Sequence, residues 1–197
     1  VNTDPPQGII PVLNKGQFFE FEASGDFVIL ASKPIMVGQF MASANAPNAN
    51  NDTCNAKFSG SKVCGYHMNQ LGEPIMCMKN SECPNIKEAT DAKIGDPAFI
   101  LSFPIDRYLK DYVVLVPDKY KFSYINIMGP ANAQVLIDNQ PTNPADWSLF
   151  SGGKWKAIRL AISPGTHKVK ASVPVGLLVY GYDNYVSYGF PGGMALK

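Results

Sequence analysis

This sequence has little charge and no long apolar run. Lys, Arg, Asp and Glu make up 17% of the 197 residues, which is below the roughly 25% that is usual in soluble domains. The formal net charge is +1 and no run of Lys or Arg occurs, so the composition does not point to nucleic acid or to an anionic membrane surface. The apolar runs are all shorter than the about 18 residues of a membrane-spanning helix, and we therefore predict no membrane span.

Long helices and a familiar catalytic motif are also missing. Sixteen prolines and seventeen glycines interrupt the chain. Helical character is limited to one turn around residues 105–109 and to one or two turns that residues 85–93 could form. Two histidines are present, and neither lies in a nucleophile elbow or a metalloprotease motif. The chain opens at Val1 without a basic or apolar leader, so we expect a processed product or an excised piece.

Short apolar runs separated by turn signals predict β-strands through most of the chain. The clearest alternation predicts that Val169, Ala171 and Val173 face inward, and the polar residues between them face water. The same alternation predicts an inward position for Ile158, Leu160 and Ile162. The strands predicted after residue 95 are 98–103, 111–116, 123–128, 133–137, 157–162, 166–173, 176–182 and 185–188. Many short strands with frequent turns are typical of sandwiches and barrels. The sequence therefore predicts an all-β fold, an antiparallel β-sandwich of the jelly-roll kind.

The spacing of the predicted strands divides the chain into an N-terminal arm and one domain with an insertion. Residues 1–16, rich in Pro and Gly, are predicted to form an extended N-terminal arm. Residues 17–197 are predicted to form one β-sandwich domain. Within it, the apolar run at 27–41 is expected to be a strand buried on both faces. Residues 42–95 interrupt the alternation and are predicted to be a cysteine-containing loop insertion.

Four cysteines lie close together in this insertion. An even number of clustered cysteines predicts two disulfides formed in an oxidising compartment. The pairing Cys54–Cys64 with Cys77–Cys83 is favoured over the nested pairing Cys54–Cys83 with Cys64–Cys77. A zinc site is the alternative, because Cys64 and His67 have a metal-ligand spacing, but zinc sites usually have tighter cysteine pairs.

Few residues suggest chemistry or binding. Trp147 and Trp155 are candidate ligand-binding aromatics, although a packing role in a β-sandwich is the competing interpretation. Tyr66 and His67, in the cysteine-containing insertion, are the other candidate binding residues. The second histidine, His167, precedes an alternating strand, and we predict a structural role for it. The sequence predicts no catalytic residue, metal or cofactor.

Several phrases, in a fixed order, resemble the N-terminal domain family of the IgG Fc-binding protein. The phrases are Lys33-Pro34-Ile35, Val37-Gly38-Gln39-Phe40, Gly95-Asp96-Pro97-Ala98, Pro104 with Tyr108 and Tyr112, Val135–Asp138, Pro164-Gly165-Thr166-His167, Val179–Tyr182 and Ser187–Gly193. The resemblance runs from about residue 18 to 196. The insertion at Cys54–Cys83 is more similar to bacterial members of the family than to the IgG Fc-binding protein of mucus.

The resemblance implies an extracellular β-rich module of a bacterial cell-surface or secreted protein, used for binding or adhesion and without enzymatic activity. It does not imply Fc binding, because no residue set for Fc recognition matches. The implied partner is a protein or glycan of a host or a neighbouring cell. The alternative is a structural subunit of an extracellular filament or assembly, in which copies of the chain join by β-strand addition.

Overall fold

The structure is a computed structural model that describes residues 1–21, 23, 25–41, 54–58, 61–68, 74–76 and 95–196. For 54–58, 61–68 and 74–76 it describes the backbone alone. Contacts divide the chain into two compact units. The first unit contains residues 1–41, 98–183 and 187–197, and the second contains 42–97 and 184–186.

The described elements are almost entirely strands. In chain order they are β1 (Asn2–Asp4), β2 (Val28–Leu30), β3 (Val37–Phe40), β4 (Cys54–Phe58), β5 (Ser61–Met68), β6 (Pro74–Met76), β7 (Phe99–Ser102), β8 (Leu109–Val116), β9 (Phe122–Pro130), β10 (Val135–Ile137), β11 (Gln140–Pro141), β12 (Ser148–Phe150), β13 (Trp155–Ala161), β14 (Gly165–Asp183) and β15 (Val186–Pro191). Short 3₁₀ turns occur at Ile105–Arg107 and Pro144–Asp146. The pairs β1–β2, β3–β7, β4–β5, β5–β6, β8–β14, β9–β13, β9–β14, β10–β11, β10–β14 and β12–β13 are antiparallel, which confirms the predicted all-β antiparallel class.

Strand β14 organises the first unit. The sheet has the order β11-β10-β14-β9-β13-β12, and β8 and β15 also pair with β14. The first part of β14 lies between β8 and β10, whereas its second part, from Gly176 to Tyr182, pairs with β9. A single strand of 19 residues therefore joins two parts of one curled sheet. The sequence analysis predicted two strands here.

The change of partner along β14 has a visible local cause. The register with β8 shifts between Lys170 and Val175, and Pro174, which has no N–H to donate, lies inside this gap. Proline is tolerated in a strand where the ladder is interrupted. The buried Tyr112 hydroxyl donates to the Val175 carbonyl oxygen at 2.5 Å and accepts from the Leu109 N–H at 3.0 Å. The phenol thus supplies hydrogen bonds where the regular ladder is broken.

The core lies on one face of this sheet. Alternate residues of β9 are buried, so that Ile125 and Ile127 are completely covered. Ile158 from β13, and Val169 and Val179 from the two parts of β14, join the same cluster. Burial of such side chains stabilises the fold by about 1.5–3 kcal/mol each. The inward position predicted for Val169 and Ile158 is confirmed.

The prediction for residues 27–41 was wrong in one respect. Strands form at β2 and β3, but they are not buried on both faces, because Leu30 is 55%, Met36 80% and Phe40 66% exposed. The physical reason is their pairing. Strand β2 pairs with β1, and β3 pairs with β7, in separate two-stranded sheets, and a two-stranded ribbon leaves much of its surface open.

The start of the chain takes part in the fold. Residues 2–4, which belong to the predicted arm, form β1 and pair with β2 in register Thr3↔Ile29. The Ser151 hydroxyl donates to the Asp4 carbonyl oxygen at 2.5 Å. The first residues are therefore hydrogen-bonded to β2 and to the turn that follows β12.

The second unit contains a small antiparallel sheet of order β4-β5-β6. The sequence analysis predicted a loop insertion here, whereas the described part of it forms strands. Cys54 and Cys64 are direct cross-strand partners in the β4–β5 register. The helical turns that 85–93 were considered able to form lie outside the described residues.

Candidate functional site

Among the described strands of the first unit, β8 lies at an edge of the large sheet. Its inner residues Tyr112, Val114 and Val116 are at most 4% exposed, whereas Val113 and Leu115 are each 65% exposed. Within the part of the chain that the structure describes, β8 pairs with β14 alone. We call this free side of β8, with Val113 and Leu115, the β8 edge.

The second half of β8, Tyr112–Val116, lacks two of the features that usually protect an edge strand, whereas Lys110 and Asp111 lie exposed in its first half. Such strands are commonly blunted by charge, proline or a bulge. The five residues from Tyr112 to Val116 include neither a charged residue nor a proline. Across the ladder, Lys168 lies opposite Val113 and Thr166 opposite Leu115. The exposed face is therefore a small apolar patch with a cationic border.

The predicted site residue Trp147 makes mainly internal contacts. Its Nε1–H donates to Thr142 Oγ1 at 3.1 Å, and Lys156 Nζ lies 4.4 Å from the centre of the ring. Burial lowers the pKa of the Lys156 ammonium. Trp147 also packs against the core cluster. These contacts use the indole N–H and cover the ring, as a packing role requires.

Trp155 lies at the start of β13, opposite Phe150 of β12. It is half-buried, and so is Trp147. Trp155 thus lies at the turn end of the β12–β13 hairpin, whereas Trp147 precedes Ser148, the partner of Ala157, at the other end. A ligand-binding role for Trp147 and Trp155 stays a prediction.

The remaining predicted site residues lie in the second unit. Tyr66 and His67 belong to β5, two and three residues after Cys64. Their side chains, and residues Cys77 and Cys83 altogether, lie outside the described residues. The roles predicted for these residues stay predictions.

A shallow apolar cleft of about 230 Å³ opens beside the core. Its apolar lining comes from β9, β10 and the end of β13, and the backbone around β11 forms its polar margin. The lining residues are Ile125, Ile137, Gln140, Pro141, Thr142, Asn143, Leu160, Ala161 and Ile162. Thr142, one of the lining residues, accepts a hydrogen bond from Trp147 Nε1–H.

His167 lies near this cleft with both ring nitrogens engaged. Nδ1 is 2.6 Å from Asp138 Oδ2, and Nε2 is 2.8 Å from the Ser163 carbonyl oxygen. The Lys168 N–H donates to Asp138 Oδ1 at 2.8 Å. This hydrogen bond, and then the contact with His167, lower the pKa of the Asp138 carboxyl. Because a main-chain carbonyl occupies Nε2, the arrangement is not that of a general base beside a nucleophile.

The remaining observations concern an acidic side chain, metal-ligand groups and membrane-spanning helices. Asp106 lies in a 3₁₀ turn with its carboxylate 3.5 Å from Arg107 Nε. Among the described side chains, no group of three His, Cys, Asp or Glu is placed to hold a metal ion. The same residues include no helix long and apolar enough to cross a membrane.

These observations define an all-β antiparallel module with an exposed edge strand. The family model described as IgGFc binding protein matches residues 1–181. The chain therefore belongs to the IgGFc-binding family, and the resemblance found in the sequence is confirmed. No curated protein and no solved structure matched the chain.

The matched region differs from the region expected. It begins at residue 1 rather than near residue 18, and it ends at 181. The phrase Ser187–Gly193, used as evidence for the resemblance, lies beyond it. The β8 edge was missed by the sequence analysis, since the continuous apolar run of β8 does not show which of its faces is covered.

Proposed function

We propose that this chain is an extracellular, non-enzymatic protein-binding module of a bacterial cell-surface or secreted protein. Membership of a family described as IgGFc binding protein supports binding as the activity. A specificity for Fc is not part of the proposal. The partner is a surface protein or glycan of a host or neighbouring cell, and a protein partner fits the contact surface proposed below.

The observation that carries the proposal is the β8 edge. An exposed edge strand binds an extended segment of a partner through main-chain hydrogen bonds, while alternate side chains provide specificity. Val113 and Leu115 point outward at alternate positions and are each 65% exposed. Because the other face of β8 is anchored in the core by Val114 and Val116, the strand is already ordered for such an addition.

The alternative function uses the same edge. If the added strand comes from another copy of the chain, the module is a structural subunit of an extracellular assembly. The exposed, uncharged segment of β8 favours this second candidate as well, since unprotected edges pair with one another. The two functions differ in the identity of the added strand.

A pair of lysine substitutions tests the β8 edge. Val113→Lys and Leu115→Lys place charge on the outer face without touching the core, and Leu149→Lys is the matched control because Leu149 is 64% exposed on β12. Light scattering after size exclusion measures self-association, and surface plasmon resonance with an IgG Fc fragment and a panel of host surface proteins measures binding.

The outcomes separate the candidates. A monomeric chain whose binding to a panel protein is weakened by the β8 variants and not by Leu149→Lys supports the binding module. Concentration-dependent oligomers lost in the same variants support the assembly. If the chain neither binds a panel protein nor self-associates, β8 is not the contact surface. The same conclusion follows if Val113→Lys and Leu115→Lys leave the observed binding or self-association unchanged.

The proposal also includes the type of β-sandwich and the pairing of the cysteines. We infer a jelly-roll-like sandwich, supported by the two sheet parts that β14 joins around one core. A Cys54–Cys64 disulfide is supported by their cross-strand register, since directly opposed strand residues have Cα separations of about 4.5–5.5 Å, within the range of disulfides.

The second disulfide is inferred to join Cys77 and Cys83. Intact mass with and without reductant, followed by peptide mapping, tests both bonds. A gain of about four hydrogens on reduction, with peptides linked as inferred, supports the pairing. A nested pairing or bound zinc contradicts it.

A further inference from the structure

One segment between β1 and β2 is apolar, uncharged and outside the described strands. Residues 9–13 have the sequence Ile-Ile-Pro-Val-Leu. Ile9 is 94% exposed and Val12 is 89% exposed. An exposed apolar run of this kind marks a surface that a protein partner can cover. We call residues 9–13 the arm segment.

The hydrogen bonds of β14 show which main-chain groups of β8 are free. The Asp138 N–H donates to the Lys168 carbonyl oxygen at 2.8 Å, on the side of β14 that faces β10. Successive residues of a strand turn their main-chain groups to opposite sides. His167 therefore faces β8, where it lies opposite Val114. Val114 faces back towards β14, and the preceding residue, Val113, turns its N–H and C=O away from β14.

The same alternation holds along the second half of β8, because the register with β14 is continuous from Lys110 to Val116. Val113 and Leu115 turn their main-chain groups to the open side of the strand. They are also the two residues whose side chains are each 65% exposed. The β8 edge therefore offers two N–H and two C=O groups, spaced two residues apart, to an added strand.

Proline at position 11 restricts how the arm segment can pair with an edge. Pro11 has no N–H, so it fits a strand where its nitrogen points away from the ladder. With Pro11 in that orientation, Ile10 and Val12 turn their N–H and C=O groups towards the ladder. The residue before a proline is also held in extended backbone. Ile10 is therefore already suited to a strand.

We propose that the arm segment of one copy of the chain adds as an antiparallel strand to the β8 edge of another copy. Val12 then lies opposite Val113, and Ile10 lies opposite Leu115, as two hydrogen-bonded pairs. The other three arm residues fall beside the inward-facing residues of β8, in the pairs Ile9–Val116, Pro11–Val114 and Leu13–Tyr112. The inference rests on the function proposed above for the β8 edge and names the strand that is added.

The chemistry of both segments selects this register. A shift by one residue would turn Pro11 towards the ladder, where an N–H is required. A shift by two residues in one direction would place Val12 opposite Asp111, which is exposed and charged. A shift by two in the other direction would place Ile10 opposite Pro117, which has no N–H. In the proposed register, all five arm residues lie opposite the uncharged residues 112–116.

Proline substitutions in the intact chain test the hydrogen bonds. Val12→Pro removes an N–H that faces the β8 edge, whereas Leu13→Pro, the matched control, removes one that faces away. Both variants keep an apolar residue outside the described strands, and thermal unfolding checks that the fold is retained. Light scattering over a series of concentrations measures the dissociation constant of the oligomers. We expect Val12→Pro to weaken self-association about tenfold, and Leu13→Pro to change it less than about threefold.

Disulfide trapping tests the register. Val12→Cys is mixed with Val113→Cys under mild oxidation, and peptide mapping locates the bond between the two chains. Directly opposed residues of an antiparallel pair lie within disulfide distance. Val12→Cys mixed with Leu115→Cys is the control, because these positions are offset by two residues in the proposed register. We expect at least about fivefold less of the linked peptide in the control.

The outcomes separate this inference from the function on which it rests. A loss of self-association in Val12→Pro alone, together with the link between positions 12 and 113, supports the arm segment as the added strand. Oligomers that are lost in Val113→Lys but unchanged in Val12→Pro overturn the inference and leave the β8 edge as the contact surface. Equal losses in Val12→Pro and Leu13→Pro overturn it too. A chain that stays monomeric at every concentration also overturns it, whereas binding of a panel protein at the β8 edge is then still measured separately.

Discussion

Removing one hydroxyl group at Tyr112 should destabilise the first unit more than its size suggests. The Tyr112 side chain is buried, and its hydroxyl joins two main-chain groups where β14 changes partner. In Tyr112→Phe, the Val175 carbonyl oxygen loses a donor and the Leu109 N–H loses an acceptor. Leaving a buried polar group unsatisfied costs about 1–3 kcal/mol. We therefore expect a loss of about 2–4 kcal/mol in the free energy of unfolding.

Urea unfolding followed by fluorescence measures this loss, and thermal unfolding should show a decrease of about 4–16 °C in Tm. Tyr188→Phe is the control, because the Tyr188 hydroxyl donates to the Ser123 hydroxyl at 3.0 Å. A hydroxyl can rotate to another partner, so the control should lose about 0.5–1.5 kcal/mol. A Tyr112→Phe variant no less stable than the control would refute the role of the phenol at the β14 crossover.

Two further predictions concern packing and alkaline pH. A Cβ at Gly181 would lie 2.6 Å from the Phe122 carbonyl oxygen, whereas one at Gly25 would meet no atom of the described residues within 4 Å. In urea unfolding, Gly181→Ala should therefore lose about 1–3 kcal/mol and Gly25→Ala should stay within about 0.5 kcal/mol of the parent; equal effects would contradict this. Burial, and secondarily Tyr112, raises the pKa of Tyr108 to about 12. The raised pKa contributes stability that is complete below the unfolded value of about 10 and is lost as pH rises through about 12. Phenolate absorbance and the unfolded fraction should therefore rise together in this pH range. Both increases should be smaller in Tyr108→Phe.

The class of fold was predictable because it follows from local chemistry. Alternation in β9 and β13, and turn residues between them, are properties of neighbouring residues and need no tertiary contact. The two-residue Asp138–Asn139 turn, which has positive φ at both positions, is an example that the sequence signals directly. The same holds for the family, since its phrases are short and ordered.

The candidate sites were less predictable, because exposure depends on which strands become neighbours. Val113 and Val114 are adjacent and chemically identical, yet the first is 65% exposed and the second 4%. The difference arises because one face of β8 covers the core and the other has no described strand above it. No local pattern distinguishes the two valines.

By itself, the sequence determined an antiparallel β module and its family. The tertiary structure decided that β14 is one strand shared by two parts of a sheet, that β8 has an open edge, and that His167 faces Asp138 and Ser163 together. Asp138 and His167 are separated by 29 residues, and β8 and β14 by the whole of β9 to β13. Strand pairing over such distances depends on the burial of the complete core, which no single segment specifies.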